Sequence, residues 1–344
     1  MIEIDGAMGE GGGQVLRTSL SLSLVTGRPV RLRRIRAGRE RPGLRPQHLT
    51  AVRAAAEVGD GEVAGAAPGS EELTFRPGRV RPGRYRFDVG TAGSAVLVLQ
   101  TVLPPLLGAG GKSEVTVDGG THAAHAPPYD FLAASFLPVL ARTGHRLEPS
   151  LERYGFHPAG GGRIRLRMRP AGTPSALRLL ERGEERDRRV RAVVSALPRH
   201  IAEREASVVH AMLRLRPDAM EVVEVPEEEA AGPGNAVMAV LAFERVTGVF
   251  TGFGRKGVPA EEVAREASRK AMDWLEAGDA AVGPHLADQL LAPLAAGPGG
   301  VFSTVEPTSH AQTQAELVRR FTGRAVRIER AAPSRWRVEV PGPS

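Results

Sequence analysis

The chain has 344 residues, enough to bury a sizeable core and to hold two domains. With 42% hydrophobic and 25% charged residues it has the composition of an ordinary soluble protein, and it lacks the run of about 18 apolar residues that a membrane span needs. It has no cysteine, which excludes a disulfide framework, a thiolate metal site and a cysteine nucleophile, and makes a reducing cytoplasm the default location. The formal charge of +7 suits a phosphate-bearing partner. Only Lys112, Lys256 and Lys270 among the 46 basic residues are lysines, so a coding bias towards arginine explains the charge equally well.

The N-terminus alternates Ile2 and Ile4 with Glu3 and Asp5, the pattern of a strand with one buried face rather than of a signal peptide. A glycine-rich loop, Gly6 to Gly13, leads into a helix from about Gln14. Leu16, Leu20 and Leu24 share one face of it, and Gly27 supplies a left-handed cap. Val30, Leu32 and Ile35 make the next strand, an arginine-rich loop follows, and Leu49, Val52 and Ala56 mark a second helix. A hairpin-like stretch ends near Phe87.

The rhythm recurs. The turn Asp88–Gly93 opens the helix Ala95–Leu107, then come the strand Glu114–Val117, the loop Gly119–Tyr129 and the helix Asp130–Arg142. The mixed charges of Glu181–Arg189 predict a solvated linker or turn. Beyond it, strands at Val190–Leu197, Met220–Val225 and Ala236–Glu244 with helices at Ala202–Leu213 and Glu261–Ala277 form a compact unit, drawn as an inserted domain at 182–276. A third partial copy follows: the helix Leu286–Ala296, a strand at Val301, a loop carrying His310, a helix from Gln314 to Phe321, and strands around Val326 and Trp336. Strands alternating with helices predict an α/β (α+β) layer architecture, whose larger domain, 1–181 with 277–344, is discontinuous.

Several clusters could carry chemistry. His310 stands between a strand and a helix, and a neutral imidazole there is a good nucleophile towards phosphorus; the bland alternative is a cap or a packed polar residue. The glycine loop, with Glu10, Gln14 and Arg17 about it, reads either as an anion cradle at a helix N-terminus or as a tight turn. It is neither a Walker A loop nor a dinucleotide fingerprint. Arg36, Arg39, Gln47 and His48 lie in a loop whose guanidinium forks could grip phosphate or simply face solvent. His122 and His125 have no third ligand placed nearby, which argues against zinc. Asp288 and Gln289 point away from the apolar stripe of their helix, as site residues or as dipole partners.

Taken together, ordered blocks along nearly the whole chain resemble the RNA 3′-terminal phosphate cyclase family. They include Gly9-Glu10-Gly11-Gly12-Gly13-Gln14 with Arg17, Arg36-Ala37-Gly38-Arg39, Gln47-His48-Leu49-Thr50, Gly90-Thr91-Ala92-Gly93-Ser94 with Gln100, and Gly119-Gly120-Thr121 with Ala126-Pro127-Pro128 and Phe131. Pro198 to Glu205, Gly232-Pro233-Gly234-Asn235, His285-Leu286-Ala287-Asp288-Gln289 and Ser309-His310 complete the match. The resemblance implies a large domain of three βαβαββ-type units with a smaller α/β domain inserted before the third. It also implies ATP-dependent conversion of an RNA 3′-phosphate to a 2′,3′-cyclic phosphodiester through a covalent histidine adenylate, with Mg²⁺ or Mn²⁺ as the cation.

On the matching positions, the resemblance makes His310 the adenylated histidine. It puts Arg17, Gln100, Pro127, Phe131, His285, Leu286, Ala287, Asp288 and Gln289 at the ATP site, and Glu10, Gln14, Arg36, Arg39, Gln47 and His48 around the cleft that takes the RNA end. Asp288 and Glu10 become the candidate metal ligands. The chain departs from the family at His285 and His157, where tyrosines stand in relatives, in the stretch His122 to His125, and at Gln314, where an asparagine is usual. Membranes are not among the expected partners, and the oligomeric state is left open, a homodimer being one option. Two other readings remain: a non-catalytic relative serving ribosome assembly, which would lack the histidine, and an enolpyruvyl transferase, which would need a lysine- and arginine-lined anion cleft.

Overall fold

The computed structural model describes residues 1–342. Three four-stranded sheets share one topology. In the first, β1 (Ile2–Asp5) runs parallel to β2 (Val30–Arg33), and β4 (Leu73–Arg76) and β3 (Glu62–Ala64) follow antiparallel. The second repeats this as β5 (Arg84–Asp88), β6 (Ser113–Gly119), β8 (Gly162–Arg169) and β7 (Arg146–Arg153). The third repeats it as β9 (Leu177–Leu179), β14 (Gly299–Thr304), β16 (Arg335–Pro341) and β15 (Arg327–Ala332). Each sheet carries two helices between its strands, so the three βαβαββ units of the sequence are present.

The alternation that marks the strands also sets the layers. Along β6 every second residue is buried, Val115 and Val117 turning inward while Glu114, Thr116 and Asp118 face out. The inner faces cover α1 (Gly13–Thr26), α2 (Pro46–Val58), α3 (Ala95–Gly108), α4 (129–141) and the two helices of the third unit, α7 (Pro284–Ala296) and α8 (Ser309–Thr322). These helices also pack on one another: α1 meets α3, α7 and α8, and α3 meets α2 and α7. Leu16, Leu20 and Leu24 of α1 are buried in that shared layer, and Gly27 takes a φ of 68° to end the helix. Helix starts from different units therefore meet in one place.

A fourth sheet, in the order β11 (Met220–Val225), β10 (Glu185–Ser195), β12 (Gly234–Phe243) and β13 (Thr247–Phe253), is backed by α5 (His200–Leu213) and α6 (Ala260–Glu276). It interrupts the third unit after that unit's first strand, because β9 already pairs with β14. The sequence placed it ahead of the unit; a three-residue strand leaves no periodic signal to read.

Other differences have physical reasons. The charged run at 181–189 is not a free linker: from Glu185 on it forms the start of β10, where Arg188 pairs with Glu185 at 2.6 Å. The hairpin near Phe87 divides, since β3 and β4 close the first sheet while β5 joins β6 in the second. α4 is helical over Tyr129–Phe131, widens into a π turn over Leu132–Phe136 and resumes at Leu137–Ala141. Pro138, having no N–H to donate, sits just past the widened turn. Among the described residues no helix is long and apolar enough to cross a membrane.

Candidate active site

His310 is not in a loop but in the first turn of α8. The helix begins at Ser309, five residues earlier than expected from its sequence, because Thr308 caps it. The Thr308 hydroxyl accepts from the Ala311 amide at 3.1 Å and donates to Asp288 Oδ1 at 2.6 Å, tying the start of α8 to the start of α7. Gln314, buried one turn further on, donates to the Asp288 carbonyl and lies 3.5 Å from the Thr18 hydroxyl of α1. Gln314 thus braces α8 against both α7 and α1.

From α1 and the loop before it come the groups that meet the imidazole. His310 Nδ1 lies 2.5 Å from Gln14 Oε1, and Nε2 lies 3.0 Å from Glu10 Oε2. Ser309 donates to the other Glu10 oxygen at 2.7 Å, and Arg39 approaches Oε2 at 3.4 Å. The glycines around Glu10 serve this close approach. Gly9 has φ +60°, and a Cβ there would stand 2.1 Å from Thr313 Oγ1 of α8. A Cβ on Gly13 would stand 2.3 Å from His48 Nε2 and 2.9 Å from an Arg17 nitrogen. Between the open alternatives for this loop, flush packing against α8 and the basic residues is what the glycines allow.

The electrostatics of the cleft are uneven. Arg17 is held down to about 10 by burial and by the nearby charge of Arg36. Arg36 is lowered by burial and by Arg45 and Arg39; one of its nitrogens donates to the carbonyls of Arg41 and Gly43 at 2.6 and 2.9 Å. His48 is pushed to about 3 by burial, then by Arg17, Arg36 and Arg45, so it is neutral; its Nδ1 accepts from the Arg45 amide at 3.2 Å. The arginines of the loop therefore divide. Arg33 and Arg34 pair with Glu3 and Asp5 outside the cleft, while Arg17, Arg36, Arg39 and Arg45 crowd together within it, where, among the described residues, Arg39 alone of the four pairs with a carboxylate, that of Glu10. Like charges held this close without matching carboxylates are what an anion would neutralise.

His310 itself lies below the usual imidazole range, chiefly through burial and then through Arg39 and Arg17, with Glu10 pulling the other way. Glu10 is held below the carboxylate range by the Ser309 hydrogen bond and by His310 and Arg39. Asp288 goes the opposite way, raised to about 7 by burial and by Glu10, against the Thr308 hydrogen bond. Two carboxylates that repel each other here are a donor pair that a divalent cation would satisfy. Among the described residues, no three carboxylate or imidazole groups converge as a closed protein cage would require.

The remaining predicted residues fall into two groups. Gln100 donates to the side chain of Gln289, linking α3 to α7 beside Asp288. Phe131, His285 and Leu286 line a cavity of about 630 Å³ whose far wall comes from the fourth sheet's unit, through Val246–Phe250, Lys270 and Trp274. Ala287 is buried in the core, so its side chain can contribute packing alone. Pro127 stands half-buried four residues ahead of Phe131. Gln47 does not point freely into the cleft; its side-chain carbonyl accepts from the Ser94 amide at 2.9 Å, joining the start of α2 to the start of α3. Sequence reasoning missed Arg45, Thr308 and Ser309. A threonine three residues before the Ala311 amide was a readable cap signal, whereas nothing in the spacing of Arg45 sets it apart from its neighbours.

Comparison with known proteins gives a consistent result. Residues 8–328 match the family model described as RNA 3′-terminal phosphate cyclase. The protein of that name from Koribacter versatilis is 51% identical over 321 residues, 93% of this chain and 90% of that one. Its namesakes from Pseudomonas fluorescens and Salmonella agona are 49% and 45% identical, each alignment covering 96% of this chain and 94% and 95% of theirs.

Proposed function

Because the chain belongs to the RNA 3′-terminal phosphate cyclase family, we propose that it converts an RNA 3′-phosphate to a 2′,3′-cyclic phosphodiester at the expense of ATP, through an adenylate on His310. The observation that carries this reading is the pair of contacts on one imidazole. Gln14 engages Nδ1 and Glu10 engages Nε2, the nitrogen that becomes reactive once Glu10 turns to the cation, in a cleft walled by Arg17, Arg36 and Arg39.

Three displacements complete the reaction. His310 Nε2 attacks the α-phosphorus of ATP, the bond to the bridging oxygen breaks, and pyrophosphate leaves. An oxygen of the RNA 3′-phosphate then attacks the adenylate phosphorus, the N–P bond breaks, and the end becomes an RNA-(3′)pp(5′)A diester. Finally the adjacent 2′-OH attacks the 3′-phosphorus and AMP leaves. The chemical need is plain: an unmodified terminal phosphate has no good leaving group, and AMP provides one. Closure asks little of the protein, since effective molarities for aligned neighbours reach about 10⁵ M or more.

The side chains have distinct tasks in this account. A neutral His310 is ready to attack without a base, favoured by burial, by the surrounding arginines and by the positive end of α8. Arg17 binds the nucleotide phosphates, and Arg36 and Arg39 hold the RNA phosphate. His48, neutral with Nδ1 already accepting from Arg45, offers only an N–H donor. Pro127, Phe131 and His285 enclose the adenine, and Gln100, Gln289 and the backbone of Leu286 and Ala287 border the ribose. Glu10 and Asp288 would hold Mg²⁺ or Mn²⁺, whose bound charge offsets that of the phosphates. In this reading residues 1–181 with 277–344 are the catalytic domain, 182–276 is the insert, and the cytoplasm is the place of action.

The direct test follows a 3′-phosphorylated RNA through incubation with the protein, ATP and Mg²⁺. The end should become phosphatase-resistant only when nucleotide is present and should be released as a cyclic phosphate. Resistance gained without ATP, or no change with it, contradicts the assignment.

A further inference from the structure

The stretch His122 to His125 contains a side chain that the reaction above does not use. His122 is buried, with both ring nitrogens engaged: Nε2 is 2.8 Å from Asp130 Oδ2, and Nδ1 is 2.8 Å from the Thr121 hydroxyl. The Thr121 hydroxyl in turn accepts from the Gly155 amide at 2.9 Å. The ring lies against Tyr154 and Phe156, with centroids 5.3 and 5.4 Å away.

Asp130 faces two ways. Its second oxygen is 3.3 Å from Arg191 Nε, on β10 of the fourth sheet. Arg191 also pairs with Glu221 on β11 and reaches the Tyr154 hydroxyl at 3.3 Å. Five residues along α4, the Ser135 hydroxyl donates to the Thr247 carbonyl of β13 at 2.5 Å. Phe131 lies between these two ties and lines the cavity whose far wall is that same unit. Pro127 and Phe131 belong to the loop and helix that His122 and Asp130 hold in place.

We propose that His122, acting through Asp130 and Arg191, is a positioning residue for nucleotide binding: it fixes the Pro127–Phe131 clamp against the unit built on the fourth sheet, so that the seating of that unit sets the affinity for ATP. The proposal rests on the cyclase reading and extends it to residues that touch neither ATP nor RNA. A ring with both nitrogens engaged has one orientation, so the clamp has one register. Removing either end of the chain His122–Asp130–Arg191 frees the clamp without altering His310 or the cleft arginines.

The test compares wild type with His122→Asn, Arg191→Met and the double variant, reading KM for ATP, kcat at saturating ATP and the rise in melting temperature on adding ATP. Each single variant should raise KM at least tenfold, change kcat less than threefold and shrink the ATP-induced rise; the double should be no worse than the weaker single. Arg191→Lys, which keeps the charge, should recover part of the loss. Arg191 is partly exposed, so its variants report even where His122→Asn fails to fold. Variants that melt earlier but bind ATP as wild type does, or that lose kcat at unchanged KM, overturn the proposal alone. A wild type that binds no ATP removes the cyclase reading and the proposal with it.

Discussion

His310 Nδ1 and Gln14 Oε1 lie 2.5 Å apart, joining the first turn of α8 to the first turn of α1 across 296 positions of sequence. An amide carbonyl is an acceptor, so Nδ1 donates to it, while Nε2 faces the Glu10 carboxylate at 3.0 Å and is the nitrogen that must be freed to attack. Gln14→Ala removes that acceptor and the orientation with it. Loss of one such hydrogen bond is worth about 1–1.5 kcal/mol, so adenylate formation should slow by roughly tenfold. Single-turnover labelling with α-labelled ATP measures this, and an unchanged rate would remove Gln14 from the mechanism.

Arg17 is a charge the fold tolerates rather than needs. Burial and Arg36 hold it down to about 10, and no carboxylate pairs with it among the described residues. Arg17→Met should therefore leave the melting temperature equal or higher, while labelling falls by roughly ten- to a hundredfold through loss of a charge-assisted contact to phosphate. A variant that melts clearly lower would mean that Arg17 holds the fold together.

Gly13 tests how closely the helix start must approach its neighbours. A methyl group there would collide with His48 and Arg17. Gly13→Ala should cost about 1–3 kcal/mol in unfolding experiments and reduce cyclisation at least tenfold. Gly27→Ala, with open space around its Cβ, should instead leave cyclisation intact and lower stability through its left-handed φ of 68°.

Glu205 predicts how stability responds to pH. It is fully buried on α5, accepts from the Asn235 amide through Oε1, leaves Oε2 without a partner, and is raised to about 8 by burial. A raised carboxyl contributes stability while protonated: the contribution is complete below about 4.5, its ordinary value, and is lost as pH rises through about 8. Melting temperature should fall by several degrees between pH 6 and pH 9, and Glu205→Gln should flatten the curve. Equal slopes in the two proteins would mean that other groups govern it.

The repeating layers were legible because their signals are local. Alternating Ile2 and Ile4, the stripe Leu16, Leu20 and Leu24, and the cap at Gly27 each occupy a few consecutive residues, and each forms the element expected. β8 went unread, although Ile164, Leu166 and Met168 alternate within it, because outward arginines stand where polar residues of mixed type usually mark a strand. β9 has three residues, and its pairing with β14 is more than 100 positions away. In the site, the motif blocks singled out Glu10, Gln14, Arg17 and His310, which the structure brings together. They could not say that Gln47 is occupied by the Ser94 amide, or that Arg33 and Arg34 are neutralised outside the cleft. Such assignments depend on which side chains the fold brings near one another, and spacing along the chain carries no trace of it.

The measurement that bears most directly on the account is mass spectrometry of the protein after brief exposure to ATP and Mg²⁺, without RNA. The account predicts an AMP group on the peptide containing His310, stable to base and lost in acid, and absent from His310→Ala. Modification of that variant, or a wild-type adenylate on any other residue, would contradict it.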